Sequence, residues 1–201
     1  DLGSFAGGLT PVERGSGLQT ISLRFRGEDG IEYNFRSVDK DQTGGLHPDF
    51  QNTAIDRLTQ DQVSSKHPVG ALITSPLLEA VGVLHPVPRL FVMPDDPRLG
   101  EHRETFAGML GTLEVHPNEG ENDTPGFAGA ERVADAETLL EHLEESTEHR
   151  VDSREYLRAR LMDLLVGDWD RHLGQWRWAR FERDGTFWWV PVPEDRDNAL
   201  S

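Results

Sequence analysis

Apolar and polar residues alternate with a period of two in three stretches of the chain, and each stretch predicts strands. Ile21, Leu23 and Phe25 alternate with Ser22, Arg24 and Arg26. After the turn signal Glu28-Asp29-Gly30, "IEYNFRSV" alternates again, which makes the pair a hairpin with a glycine-rich approach through Gly7, Gly8, Gly15 and Gly17. Near the C-terminus, Trp176 and Trp178 alternate with Arg177 and Ala179, "RDG" supplies a tight turn, and "TFWWVPV" returns as the partner strand. "PRLFVMP" reads as a buried strand and "ETFAGMLGTLEVHP" as another.

A helical period fills the spaces between. Residues 49–66 place Ala54, Ile55, Leu58 and Val63 roughly on one face, and Pro68 ends them. "SPLLEAVGV" predicts a short helix with Ser75 as N-cap, Pro76 first and Gly82 last. "ADAETLLEHLEEST" is an acidic amphipathic helix carrying Leu139, Leu140 and Leu143. A further helix starts at an N-cap Ser153, carries the stripe Tyr156, Leu157, Leu161, Leu164 and Leu165, and ends near Gly167. The order is strands, a mixed middle, then helix, loop and hairpin, which is an α+β plan.

Composition narrows the chemistry. The 201 residues include no cysteine, so disulfides, thiolate metal sites and cysteine nucleophiles are excluded. No apolar run is long enough to cross a membrane as a helix, and the first residues lack the pattern of a signal peptide. The formal charge of −16 disfavours nucleic acid and anionic membranes as partners. Lys40 and Lys66 are the only lysines among 20 basic residues. An acidic surface encoded by a GC-rich genome accounts for this, and salt adaptation is the sharper alternative.

Two polar clusters flank the last hairpin: "GDWDRHLGQ" before it and "PEDRDN" after it. An antiparallel hairpin brings its ends together, so Asp170 and Gln175 are expected near Asp195 and Asp197. Carboxylates with an amide suit Mg²⁺ or Mn²⁺, which take oxygen ligands. Phosphoryl transfer also needs a carboxylate at the attacking hydroxyl. Asp170 is the candidate catalytic residue, Gln175 and Asp197 are candidate metal ligands, and Asp195 is a supporting or second-metal group. Taken singly these residues are weak signals: Asp-x-Asp is often a cap or turn, and the tryptophans read as core.

The string "GDWDRHLGQ…VPEDRDNAL" resembles the catalytic loop and metal motif of atypical kinases, among them the HipA, CotH, phosphatidylinositol-kinase and secretory-pathway types. The resemblance implies a kinase-like fold: an antiparallel-sheet N-lobe over residues 1–115, then the start of a C-lobe over 116–201 with catalytic loop and metal motif. Asp170 matches the catalytic Asp, Gln175 stands where the family has Asn, and Asp197-Asn198-Ala199 matches the metal motif. Arg171 and His172 would hold the loop by hydrogen bonds. Upstream, Gly15 and Gly17 would belong to a phosphate-covering loop, and Arg36, with Lys40 as alternative, to the phosphate-pairing position. Asp61 or Glu79 would be the partner acid, and Glu114 and Val115 would face adenine. The implied activity is an ATP- and Mg²⁺/Mn²⁺-dependent phosphotransferase acting on a protein or small-molecule acceptor, with AMP transfer as a variant. The resemblance further implies more C-lobe helices after Ser201 and other domains of a longer, envelope-associated bacterial protein. Gln175 and Arg36 also fit a catalytically inactive kinase-like binding or regulatory module. A metal-dependent phosphohydrolase ranks last, because the histidines are scattered and form no HExxH pair.

Overall fold

The computed structural model describes residues 1–15, 20–40, 67–120, 126–196 and 198–200. The predicted helix over 49–66 lies outside these residues, as does Asp61. The fold is α+β and divides into two compact units, one of Asp1–Val69 and Pro88–Glu114, the other of Gly70–Val87 and Val115–Leu200.

The first unit is built on a five-stranded sheet of β1 (Leu9–Gly15), β2 (Thr20–Gly27), β3 (Glu32–Lys40), β4 (Arg89–Val92) and β5 (Leu110–Val115), ordered β1-β2-β3-β5-β4. The pairs β1/β2, β2/β3 and β4/β5 are antiparallel. Leu23 lies opposite Phe35 and Phe25 opposite Tyr33, so the alternation read from the sequence becomes one apolar face. All four side chains are buried, together with Met93, Leu99, Phe106 and Leu113. Phe106 meets Phe35 edge-on at 6.2 Å between centroids.

Two sequence readings in this unit are corrected. β4 is an edge strand with every residue exposed, because it has a sheet neighbour on one side only; its apolar run reaches the core at Met93 instead. The stretch 104–117 is not one strand. Arg103–Phe106 forms a helical turn, Gly108 takes a left-handed φ of 78°, and pairing begins at Leu110.

The second unit contains α1 (Gly70–Val81), β6 (Arg132–Ala134), α2 (Ala136–Glu145), β7 (His149–Val151), α3 (Ser153–Leu165), β8 (Trp176–Arg183) and β9 (Thr186–Pro193). Its sheet runs β6-β8-β9-β7, with β7/β9 parallel and the other pairs antiparallel. The β8/β9 hairpin pairs from Arg183 opposite Thr186 to Trp176 opposite Pro193. Its two-residue turn has positive φ at Asp184 and Gly185, the geometry that Asp-Gly turns supply. Trp176, Trp178 and Trp189 pack with Leu78, Val83, Leu139, Ala159 and Met162 into the core.

Helix boundaries differ from expectation where packing outweighs local signals. α1 starts at Gly70, so Ser75 and Pro76 are interior rather than N-cap and first residue. A side chain at Gly70 would meet the Ala199 carbonyl oxygen at 2.6 Å, which fixes glycine there. α3 is capped by Asp152, not Ser153: the Asp152 carboxylate accepts from Glu155 N at 3.2 Å. The expected apolar stripe of α3 faces solvent, while Ala159, Met162 and Asp163 are buried. The buried side of this helix was hidden from hydropathy because it carries a carboxylate.

Candidate active site

The C-terminus of α3 sets up the loop that follows. Gly167, with φ 67°, ends the helix; its N–H donates to Leu164 O and that of Asp168 to Asp163 O at 2.8 Å. This paired arrangement is a Schellman motif, and it places Asp168 beside the last turn that carries Asp163. Both carboxylates are buried, each with 1% of its side chain exposed.

Two arginines enter between them. Arg171, whose side chain is fully buried, donates to Asp168, to the backbone oxygen of Glu194, and to that of Asp195 at 2.7 Å. Arg196 donates to Asp163 and, at 3.0 Å, to Asp168. Burial, and then the neighbouring Arg196 charge, lowers the Arg171 pKa from its ordinary value, while Asp168 and Asp163 oppose that shift. Four charges thus tie three segments together: the end of α3, the loop before β8 and the loop after β9.

The hairpin closes the same arrangement from the other side. Glu194 N donates to Gln175 O at 3.0 Å, continuing the ladder past Trp176 and Pro193. The buried Glu194 carboxylate lies 3.0 Å from Arg177 Nε and 3.4 Å from His116 Nδ1. Asp195 takes a left-handed φ of 54°, which turns the chain out of β9. Asn198 then returns to donate from Nδ2 to Asp170 Oδ2 at 3.2 Å. His172 accepts from Gly174 N at 3.2 Å and so caps the short turn Leu173–Gln175.

Asp170, Gln175, Asp195 and Asn198 therefore converge at the open end of one hairpin. Asp170 is half-buried and Gln175 buried. The Gln175 amide oxygen is buried without a hydrogen-bond partner among the described residues. A buried acceptor left in that state calls for a donor or a cation. Asp197 lies outside the described residues. Among the described residues no group of three or more carboxylates and histidines is gathered for a metal. The groups brought together here are instead one carboxylate and two side-chain amides, and Asn198 turns its amide nitrogen, not its oxygen, toward Asp170.

In the first unit, Gly15 ends β1 opposite Ser22, and a side chain there would run into the Ser22 hydroxyl. Gly17 and the Lys40 side chain lie outside the described residues. Arg36 Nε is 3.7 Å from Glu114 Oε1, both largely buried, so an acid on the neighbouring strand faces this base. Arg36 follows Phe35 and Glu114 follows Leu113, which puts this pair on the sheet face opposite the apolar core. An apolar cavity of about 310 Å³, lined by Phe25, Phe35, Phe91, Met93 and Leu113, lies on the core face, away from Arg36. Val115 ends β5 in the second unit.

Sequence reasoning missed Asp163, Asp168, Glu194 and Arg196 as individual residues, and placed Asn198 only within the motif that follows the hairpin. A usable signal existed for Asp163, a lone acid inside the apolar run "RLMDLLV". Comparison with protein-family models, curated proteins and solved structures finds no match to this chain.

Proposed function

We propose that the chain is an atypical kinase-like phosphotransferase, using ATP with Mg²⁺ or Mn²⁺. The observation that carries this reading is the convergence of Asp170, Gln175 and Asn198 at the mouth of one hairpin, braced by Arg171. Asp170 accepts the proton of an acceptor hydroxyl as its oxygen bonds to the γ-phosphorus and the bond to the β-bridging oxygen breaks, releasing ADP. Asn198 holds the Asp170 carboxylate in place for that transfer. Gln175 and Asp197, with Asp195, would hold the cation, which would neutralise phosphate charge.

A second reading has its own support. Arg36 lies against Glu114 within the sheet, and Gln175 is longer than the family's Asn. Both favour a binding module that holds nucleotide without turning it over.

Thermal unfolding with ATP and Mg²⁺ or Mn²⁺ tests both. At a hundredfold excess over the dissociation constant, stabilisation of about 2.7 kcal/mol is expected for the wild type. Asp197→Ala is expected to abolish it. Asp170→Asn is expected to keep binding and lose transfer of labelled γ-phosphate. Binding without transfer in the wild type selects the module, and absence of any shift sinks both readings.

A further inference from the structure

The cavity on the core face of the first unit has a buried floor and an open mouth. Leu2, Leu9, Phe25, Phe35, Met93 and Leu113 form the floor, and all six are buried. Asp1, Ser4, Phe91 and Val92 stand at the mouth, and all four are exposed. Protein interiors hold few voids larger than a water molecule, so about 310 Å³ is far more than imperfect packing leaves. Water is a poor occupant, because the floor side chains give it no strong hydrogen-bond partner.

Backbone geometry holds the space open. One wall is the chain from Asp1 to Leu9, which turns through left-handed φ values at Ala6 (51°) and Gly7 (76°). Leu9 N donates to Leu2 O at 2.7 Å, which closes this segment on itself. Glu28 N donates to Gly8 O at 3.0 Å and Asp29 N to Ala6 O at 3.3 Å, which ties it to the turn between β2 and β3. Phe5 meets Tyr33 and Phe91 edge-on, at 5.3 and 5.7 Å between centroids. A ligand entering such a preformed pocket has little of the protein left to order.

The lining selects the ligand. Phe5, Phe25, Phe35 and Phe91 contribute four aromatic rings, whose faces attract cations. The charged side chain among the lining residues is the Asp1 carboxylate, whose Oδ1 accepts from Gly3 N at 2.6 Å and is thereby held at the mouth. Arg98 packs near Gly3 without lining the cavity, and its Nε lies 3.4 Å from Asp96. The net charge of −16 attracts cations and repels anions over a longer range. A cavity of about 150 Å³ accepts benzene, so about twice that volume takes a ring with a short chain. We propose that this cavity binds a small aromatic amine, with its ring against Phe25, Phe35 and Leu113 and its ammonium at the mouth beside Phe91 and Asp1. The inference is independent of the phosphotransferase reading, since none of the residues assigned to that site lines the cavity.

The test titrates the full chain with 2-phenylethylamine by calorimetry. One control is 3-phenylpropionate, which carries an anionic end on the same ring; the other is butylamine, which carries the amine without a ring. The proposal expects saturable binding of phenylethylamine with a dissociation constant below about 1 mM, and at least about tenfold weaker binding of either control. Leu2→Phe adds bulk to the floor and is expected to weaken binding by at least about tenfold. If that variant unfolds, Asp1→Asn at the exposed mouth decides, because it is expected to narrow the gap between the amine and the acid by about threefold or more. Phenylpropionate binding as tightly as the amine overturns the proposal. So does the lack of saturation up to about 10 mM amine, or amine binding that no folded variant alters. Displacement of phenylethylamine by ATP with Mg²⁺ assigns the cavity to nucleotide and equally overturns the proposal.

Discussion

The two units hold their functional candidates by different physics. In the first, the sheet is anchored by Leu23, Phe25, Phe35 and Phe106, which are apolar and buried. In the second, the loops that carry Asp170 and Asp195 are anchored by charge: Arg171 and Arg196 against Asp163, Asp168 and two backbone carbonyls. Apolar packing is non-directional and tolerates small shifts. Buried ion pairs are directional, and each partner left alone is costly. The comparison teaches that the first unit is specified mainly by volume and the second, around its candidate site, by hydrogen-bond geometry.

The largest expected effect tests that contrast directly. Arg171→Met removes a donor to Asp168, Glu194 and Asp195 and leaves buried carboxylates short of a partner. A loss of about 3–5 kcal/mol is expected in denaturant unfolding. Leu23→Ala in the first unit is expected to cost about 2–5 kcal/mol through lost transfer energy and a cavity. The distinguishing comparison is Arg171→Lys against Leu23→Met. The lysine cannot reproduce the guanidinium fork and should recover little, whereas methionine is near the leucine volume and should cost less than about 1.5 kcal/mol. Equal recovery at both sites breaks the contrast.

A smaller effect, also confined to the second unit, appears with pH. His149 stacks on His142 and Phe187, each at 5.0 Å between centroids, and its Nδ1 accepts from the buried Trp189 indole at 3.1 Å. Burial lowers its pKa, helped by His142 and Arg180 and opposed by Glu145 and Glu148. His85 is lowered as well, chiefly by burial; its Nε2 is 2.9 Å from the Ser75 hydroxyl and its Nδ1 2.7 Å from Val83 O. A histidine whose folded pKa is depressed binds its proton more readily when unfolded. Its stabilising contribution is therefore full above the ordinary histidine value, near about 6.5, and is lost as pH falls through the folded value. Denaturant midpoints are expected to fall between pH 7.5 and 5.5 in the wild type, to about the extent that two depressed histidines allow, and to fall less in the His85→Gln/His149→Gln variant. A slope unchanged by the double substitution overturns this account.

The same contrast explains what the sequence disclosed. β2, β3 and the β8/β9 hairpin were legible because alternation and Asp-Gly turns are local signals. The meeting of Asp170 and Gln175 with the chain after β9 was legible from hairpin topology alone. The edge position of β4 was not, because an apolar run does not say how many neighbours a strand has. The helix start at Gly70 was not, because it depends on Ala199, more than a hundred residues away. The orientation of α3 was misread for a related reason. Hydropathy puts Leu164 inside and Asp163 outside, but Asp163 is drawn in by Arg171 and Arg196, residues that join it only through the fold.

That reversal yields the prediction with the smallest expected effect and the clearest meaning. Leu164 is the most exposed leucine on α3, while the adjacent Asp163 is among the least exposed residues in the chain. If the helix is oriented as described, Leu164→Ser removes almost no buried surface and changes stability by no more than about 0.5 kcal/mol. Asp163→Ser, one residue away, leaves the buried pair Arg171 and Arg196 with Asp168 as their one remaining shared carboxylate and should cost several times that. Hydropathy demands the opposite ranking, with the leucine as core and the aspartate as surface. Denaturant unfolding of the two variants therefore separates the buried from the exposed side of α3, on which the bracing of the candidate site depends. A large loss for Leu164→Ser with little for Asp163→Ser would overturn that bracing.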